Sequence, residues 1–324
     1  MIKVLVSGAS GVVGYGILKS LKHSGLKVYL YGSTIYNHSA ANVFSDEVII
    51  APVTKSPNYI NWLCETIIEN EINIIIPGID DDMYIWNLNR DKINHLGTVI
   101  LLNSFNLIEQ CKDKWVFYKK FKESLSEYLI DTRLEIDGLN FPIIAKPRIG
   151  NGSRGIYKLN ELNELNDFLK LDKNKLVDYI YQPLIGNDES EYSVSAFFDS
   201  NSKLLDFLPL KRKLAYSGYT EYAVFEDIGF EKVIADISNT VLPIGPTNFQ
   251  FRVEQNQIKL IEINPRISSA TSIRTLYGFN ESKLAVQYFY NGNIEIDIHK
   301  KILNKDFKVI RYLEDYIVYD CNNK

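Results

Sequence analysis

Glu262 and Asn264 stand two residues apart in the stretch Ile258 to Arg266, which reads I-K-L-I-E-I-N-P-R. Ile258, Leu260 and Ile261 make it apolar and β-branched enough for a strand, and Pro265 ends that strand. Residues i and i+2 of a strand share a face, so the carboxylate and the amide form a pair of hard oxygen ligands of the kind Mg²⁺ takes. A second strand, Asn248 to Val253, precedes it across the polar turn Glu254 to Gln257, and such a hairpin brings Gln250 alongside Glu262. Arg266, just past the strand, suits a carboxylate or phosphate held in a bidentate fork. A solvated strand end closed by a salt bridge is the plainer reading of the same residues. The rest of the chain decides between the two.

Phosphate chemistry is signalled upstream. F-P-I-I-A-K-P, Phe141 to Pro147, reads as a strand in which Lys146 is the only charge, and desolvating a lysine there calls for an anion to offset it. The next residues, Arg148 to Ile156, interleave Gly150, Gly152 and Gly155 with Ser153 and two arginines. Such a loop can fold its backbone N–H groups over phosphates. A flexible hairpin is the alternative, and it leaves Lys146 unexplained. Further on, the strand Tyr179 to Gln182 breaks at Pro183. A break of this kind, at Gln182, Pro183 and Leu184, exposes backbone groups that can read an adenine edge, and Glu189 or Glu191 in the acidic turn that follows can accept from ribose hydroxyls.

Several elements must position these groups. Ile2 to Val6 reads as a buried strand, then comes S-G-A-S-G-V-V-G-Y-G, then an amphipathic helix with Ile17, Leu18 and Leu21 on one face. Gly8, Gly11 and Gly14 permit a tight turn and close helix packing, as a Rossmann-like unit opens. A strand at Leu26 to Tyr31 ends in Gly32, Ser33 and Thr34, where a dinucleotide site needs an acid, so the glycines read as structural. Strands at Glu47 to Ile50, Ile72 to Pro77 and Thr98 to Leu102, with a helix from Pro57 to Asn70, complete a parallel sheet. Asp80, Asp81 and Asp82 read as the cap of a helix at Met83 to Asn89, with metal or a cationic substrate as the other use. Ser104 caps a helix that carries Lys114 on or just past its end. Helices at Glu161 to Leu171 and Phe230 to Leu242 and strands at Tyr192 to Phe198 and Leu204 to Leu210 follow. Lys119 to Thr132 is helical and then polar, and Phe307 to Tyr319 is strand-rich and packs on the last sheet.

Composition excludes several classes. The 324 residues, 46% hydrophobic and 23% charged, are those of a globular chain large enough for two or three domains. A net charge of −4 with no long basic run favours neither nucleic acid nor an anionic membrane as partner. Cys64, Cys111 and Cys321 have no zinc or disulfide spacing, and no apolar run reaches spanning length, so the expected compartment is the cytoplasm.

Taken in order, Lys114, Lys146 with its glycine loop, Q-P-L-I-G, E-Y-S-V, N-F-Q-F and E-I-N-P-R resemble the ATP-grasp superfamily, and within it proteins similar to one synthetase half of the carbamoyl phosphate synthetase large chain. The resemblance covers nearly the whole chain. It implies an α/β and α+β architecture: a Rossmann-like domain over 1–104, a small subdomain with the glycine-rich flap over 105–181, a subdomain with the Mg-ATP site over 182–292 and a strand extension over 293–324. It also implies that Lys114 and Lys146 hold the α and β phosphates of ATP, that the loop from Arg148 to Gly155 is the flap, and that Gln182, Pro183 and Leu184 form the adenine hinge. The hinge usually begins with Glu, whereas this chain has Gln182. Glu191 or Glu189 then holds the ribose, while Lys211, Arg212 and Lys213 compete for a place against the phosphates. Gln250, Glu262 and Asn264 become ligands of two Mg²⁺ ions, which Mn²⁺ can replace. Arg266 faces the γ-phosphate or acyl phosphate, and Arg274 binds the substrate carboxylate. The implied activity couples a small carboxylic acid, an amino acid or a carboxylated sugar, to an amine or thiol through an acyl phosphate, in a protein that is often a homodimer. An NAD(P)-dependent oxidoreductase and a non-catalytic ATP-binding protein are the competing readings.

Overall fold

The computed structural model describes residues 1–150, 152, 154–170, 178–215, 218–292 and 306–317. Three sheets carry the chain. The first is parallel, in the order β3-β2-β1-β4-β5, from β1 (Ile2–Val6), β2 (Val28–Thr34), β3 (Glu47–Ile50), β4 (Ile74–Ile76) and β5 (Val99–Ile100). Helix α1 (Val12–Lys22) lies on one face, and α2 (Tyr59–Asn70) and α3 (Asp80–Leu88) cover the other with Leu63, Ile67, Met83 and Trp86. The strand order reverses between β1 and β4, so the loops at their carboxyl ends open a crevice there.

Several expected boundaries move. β2 begins at Val28 and runs on through Gly32, Ser33 and Thr34, because Tyr31 to Thr34 pair with Glu47 to Ile50. The place where a ribose acid belongs is thus the carboxyl end of β2, held by Gly32, Ser33 and Thr34, none of them acidic. β4 and β5 are shorter than their apolar runs. Asp80, Asp81 and Asp82 do not cap α3: Ile79 is the N-cap, and the three acids occupy the first turn, where they favour the positive helix end. The glycines serve packing. A Cβ on Gly14 would stand 2.4 Å from the Gly8 carbonyl oxygen, and one on Gly78 would stand 2.0 Å from the Ser7 carbonyl oxygen, so helix and β4 loop close onto β1 only without side chains.

Two short helices follow instead of one. After the short helix α4 (Arg90–Asn94), Ser104 caps α5 (Phe105–Lys112), its Oγ accepting from Leu107 N at 3.4 Å. Asp113 then breaks the run and caps α6 (Lys114–Phe121), accepting from Trp115 N at 2.8 Å and Val116 N at 3.2 Å. The three-stranded antiparallel sheet, β7-β6-β8, comprises β6 (Ile143–Pro147), β7 (Tyr157–Leu159) and β8 (Tyr179–Pro183), backed by α7 (Leu162–Leu169).

The third sheet has six strands in the order β13-β12-β9-β10-β11-β14. It contains β9 (Glu191–Phe198), β10 (Leu204–Leu214), β11 (Thr220–Phe225), β12 (Gly245–Glu254), β13 (Gln257–Asn264) and β14 (Lys308–Ile310). β10 is longer than expected and takes in Lys211, Arg212 and Lys213, because these residues pair with β11. Of the stretch from Phe307, Val318 and Tyr319 lie outside the described residues, and among the described ones only Lys308 to Ile310 is strand, added to β11 at the sheet edge. One face packs on α6 and on α8 (Phe230–Val241), with Phe117, Phe121, Phe230, Ile234 and Phe249 in the seam. The other packs on α9 (Thr271–Leu276) and α10 (Glu281–Asn291), which also meet α1 of the first sheet. Among the described residues no helix is long and apolar enough to cross a membrane.

Gly78→Ala tests the close approach at the crevice. It should lower stability by about 3 kcal/mol in chemical unfolding, the upper range for forced overpacking; a change within 0.5 kcal/mol would mean that the loop has room to spare.

Candidate active site

Two cavities meet at the hairpin of β12 and β13. The larger, of about 800 Å³, lies between the three-stranded and six-stranded sheets, and the smaller, of about 300 Å³, lies between the hairpin and the first domain. Lys114, Ile130, Gly150, Gln182, Ile261 and Glu262 line both. The larger is also lined by Lys146, Gly152, Gly155, Pro183, Leu184, Glu191, Gln250 and Arg252. Ser153 falls outside the described residues.

Lys146 is 4% exposed, on a strand whose other side chains are apolar. Burial, reinforced by Lys114, pulls its pKa down to about 8. The buried ammonium opens on the larger cavity and has no anion within salt-bridge distance among the described residues. Lys114, at the first position of α6, donates to the Gly150 carbonyl oxygen at 3.1 Å, so the second cation is tied to the glycine loop. The loop is tied a second time by Arg148, which grips Asp113 at 2.6 Å. That ion pair holds the Asp113 carboxyl below the usual range despite burial. Arg148, expected against phosphates, lines neither cavity, because its guanidinium is committed to the cap of α6.

Opposite the lysines, Gln250 pairs directly with Glu262, and a bulge follows between Gln250 and Phe251. Bulges re-aim side chains, and this one sits where the oxygen ligands converge. Asn264 donates from Nδ2 to Glu262 Oε1 at 3.1 Å. One carboxylate and two amides fill only part of an octahedral shell. That donor set fits a Mg²⁺ ion that arrives with phosphate oxygens better than a free ion. Among the described residues no three His, Cys, Asp or Glu side chains cluster closely enough to hold a metal.

The hinge residue Gln182 is buried and its orientation is fixed. The Thr132 hydroxyl donates to the Ile130 carbonyl oxygen at 2.8 Å, so towards Gln182 it accepts, and the amide Nε2 faces it at 2.7 Å. The amide oxygen is left as the acceptor. Glu191 lines the larger cavity and is braced by Arg212 at 2.8 Å and Arg252 at 3.6 Å, whereas Glu189 is exposed on a short turn and lines neither cavity. Arg212 is thereby spent on Glu191 and Lys211 lies 3.5 Å from Glu226, which removes both from the competition for phosphate.

Two arginines are not where the sequence placed them. Arg266 lines neither of the two large cavities; its Nε donates to Asp80, its Nη1 to the Ile267 carbonyl oxygen at 3.1 Å, and its Nη2 lies 3.4 Å from Asn264 Oδ1. Arg274 is wholly buried, bonded to Ser268, to Ser193 Oγ at 2.8 Å and to Leu208 O at 3.3 Å, with Glu281 at 3.6 Å. Its donors are taken by protein acceptors, so a substrate carboxylate has no path to it. It locks α9 to the sheet.

Lys55, Asp80, Asp81, Met83, Tyr84, Cys111 and Tyr118 join Glu262 and Asn264 around the smaller cavity, and sequence reasoning missed all of them except Asp80 and Asp81. Burial pushes the Cys111 thiol well up, with Glu262 adding to the effect, which disfavours the thiolate. Asp113 was findable: an Asp directly before a helical run is an N-cap signal. Thr132 left no signal.

A family model described as "ATP-grasp in the biosynthetic pathway with Ter operon" matches residues 179–311. The chain carries an ATP-grasp domain. A second model, "PylC-like, N-terminal domain", matches residues 10–101, the first sheet and its helices. The carbamoyl phosphate synthase large chain of Caldanaerobacter subterraneus is 25% identical over 323 residues, covering 88% of this chain and 28% of that one. The chain spans about a quarter of the length of the carbamoyl phosphate synthase large chains it matches. Among solved structures, the biotin carboxylase domain of Hydrogenobacter thermophilus 2-oxoglutarate carboxylase, in complex with MgADP, ADP and bicarbonate, superposes with a TM-score of 0.70 at 15% identity, over 90% of this chain and 70% of that one. The L-amino acid ligase of Bacillus licheniformis does so with 0.68 at 13%, over 92% and 77%. At these identities the likeness shows the shared fold.

The depressed pKa of Lys146 sets a pH dependence. The free protein loses this charge as pH rises through about 8, and an arriving polyphosphate restores it, so binding takes up a proton above that pH. ATP affinity, measured by calorimetry in buffers of different ionisation enthalpy, should fall as pH rises from 8 to 9 in the wild type and hold steady in Lys146→Arg. Equal slopes would show that Lys146 does not meet the phosphates.

Proposed function

We propose that the chain is an ATP-dependent, magnesium-requiring ligase that activates a small carboxylic acid as an acyl phosphate and couples it to an amine, releasing ADP and phosphate. The observation that carries this reading is the placement, around the larger cavity, of Lys146, a buried cation with no anion within salt-bridge distance among the described residues, opposite Gln250 and Glu262, with Asn264 beside Glu262 on the wall of the smaller cavity. A polyphosphate nucleotide with magnesium completes both at once.

In this reading adenine lies against Pro183 and Leu184, with its amino group on the Gln182 amide oxygen, and the ribose hydroxyls reach Glu191. Lys114 and Lys146 neutralise the phosphates beneath the glycine loop, and Gln250, Glu262 and Asn264 hold the metal. Magnesium, when bound, supplies charge neutralisation of the transferring phosphoryl group. A carboxylate oxygen of the acid forms a bond to the γ-phosphorus as the bond to the β–γ bridging oxygen breaks and ADP leaves. The amine nitrogen then attacks the acyl carbon, phosphate departs, and the nitrogen loses a proton. The chain's own work is positional and electrostatic, and no side-chain nucleophile enters.

The smaller cavity adjoins Glu262 and Asn264 and suits the acid and amine, as small as an amino acid or a carboxylated sugar. Residues 1–104 supply its outer wall, 105–181 the flap and 182–292 the metal site. The lack of an acid at Gly32 to Thr34, the carboxyl end of β2, and the packing role of Gly14 and Gly78 speak against a dinucleotide site in the first sheet.

Phosphate release from ATP with Mg²⁺, screened over pooled carboxylic acids and amines, tests the proposal. Release that needs one acid and one amine and falls about a hundredfold or more in Glu262→Ala is the expected result. ATP binding with no release from any pool would instead favour a non-catalytic nucleotide-binding role.

A further inference from the structure

The first domain contributes no group to the larger cavity, yet one of its side chains reaches the metal-ligand strand. Of the three acids that open α3, Asp82 is buried and accepts from Thr54 at 2.7 Å, and Asp81 is exposed. Asp80, only 9% exposed, crosses to Arg266 Nε. Arg266 in turn lies at Asn264 Oδ1, 3.4 Å away, and Asn264 donates to Glu262 Oε1 at 3.1 Å. Four side chains thus run in sequence from the carboxyl end of β4 to the carboxylate that both cavities share.

We propose that Asp80 is a positioning residue for the Glu262 and Asn264 pair, acting through Arg266. The inference rests on the reading of Glu262 and Asn264 as magnesium ligands. Its physical basis is charge balance in a desolvated place. The Arg266 side chain is 14% exposed and must keep a carboxylate beside it. Asp80 supplies that carboxylate from the first domain, at the wall of the smaller cavity and outside the larger one. Glu262 is four residues before Arg266 on the same segment and is the next carboxylate whose charge it feels. Remove the charge of Asp80 and the guanidinium is drawn to Glu262, where it competes with the metal for the same oxygens. Asp80 therefore keeps Glu262 free for the ion and holds Asn264 in line beside it. Partners of this outer kind commonly change metal affinity by about 10- to 100-fold when mutated.

The test is ATP binding by calorimetry at saturating Mg²⁺ and in EDTA, the ratio of the two dissociation constants measuring the metal's contribution without any turnover. Asp80→Asn should reduce that ratio about tenfold or more and leave binding in EDTA unchanged, which also shows that the variant is folded. Asp80→Glu, keeping the charge, should stay close to wild type. The double variant Asp80→Asn/Arg266→Gln should recover most of the ratio, because the competing cation is gone; a merely structural role for Asp80 gives no such recovery. A wild-type ratio that Asp80→Asn leaves intact overturns the inference alone. So does a double variant no better than the single one. A wild-type ratio of one overturns the magnesium reading and this inference with it.

Discussion

A buried lysine with no anion within salt-bridge distance among the described residues is the constraint on which the rest of the site depends. Lys146 stands on the central strand of a three-stranded sheet among apolar strand neighbours, with Glu262 and Glu191 near enough to act on it but no carboxylate within salt-bridge distance among the described residues. Such a placement weakens the folded state, since burial penalises the charge that the lysine carries at neutral pH. The same penalty is what a polyphosphate relieves on binding. Stability of the free protein and affinity for an anion are thereby set against each other at one atom.

The surrounding structure keeps this cation facing Gln250 and Glu262. Asp113 caps α6 and grips Arg148, so the helix that bears Lys114 and the loop that follows Lys146 move as one unit. The hairpin presents Gln250 and Glu262 in register, and the bulge beside them turns the strand. Behind the hairpin, Arg274 and Glu281 fill the seam between sheet and helices with a buried ion pair bonded to Ser193 and Asn248, the neighbours of the ligand positions. Breaking one side of such a pair typically costs about 3–5 kcal/mol, so the strands have little freedom to drift.

Much of this was legible in the chain. The Glu262 and Asn264 spacing, the hairpin that aligns Gln250, and the lone charge of Lys146 follow from strand periodicity and desolvation alone. What failed to show was partnership at long range. Nothing local tells that Arg148 will choose Asp113, that Arg266 will choose Asp80 across 186 positions, or that Arg274 will be walled in by Ser193 and Glu281. Each arginine was read as facing a ligand because its type suits anions. The fold supplied protein anions and carbonyls first. Boundaries erred where pairing overrode local signals, as when β2 absorbed Gly32 to Thr34 to meet β3 and β10 absorbed Lys211 to Lys213 to meet β11.

The most direct measurement is Mg-ATP titration of the wild type and of Lys146→Met, a substitution of similar volume, together with their thermal unfolding in the absence of nucleotide. The account requires opposite changes: the variant should unfold at a higher temperature, because an uncompensated buried charge is gone, and should bind Mg-ATP about a hundredfold more weakly or not at all. A variant that binds Mg-ATP like the wild type would contradict the account.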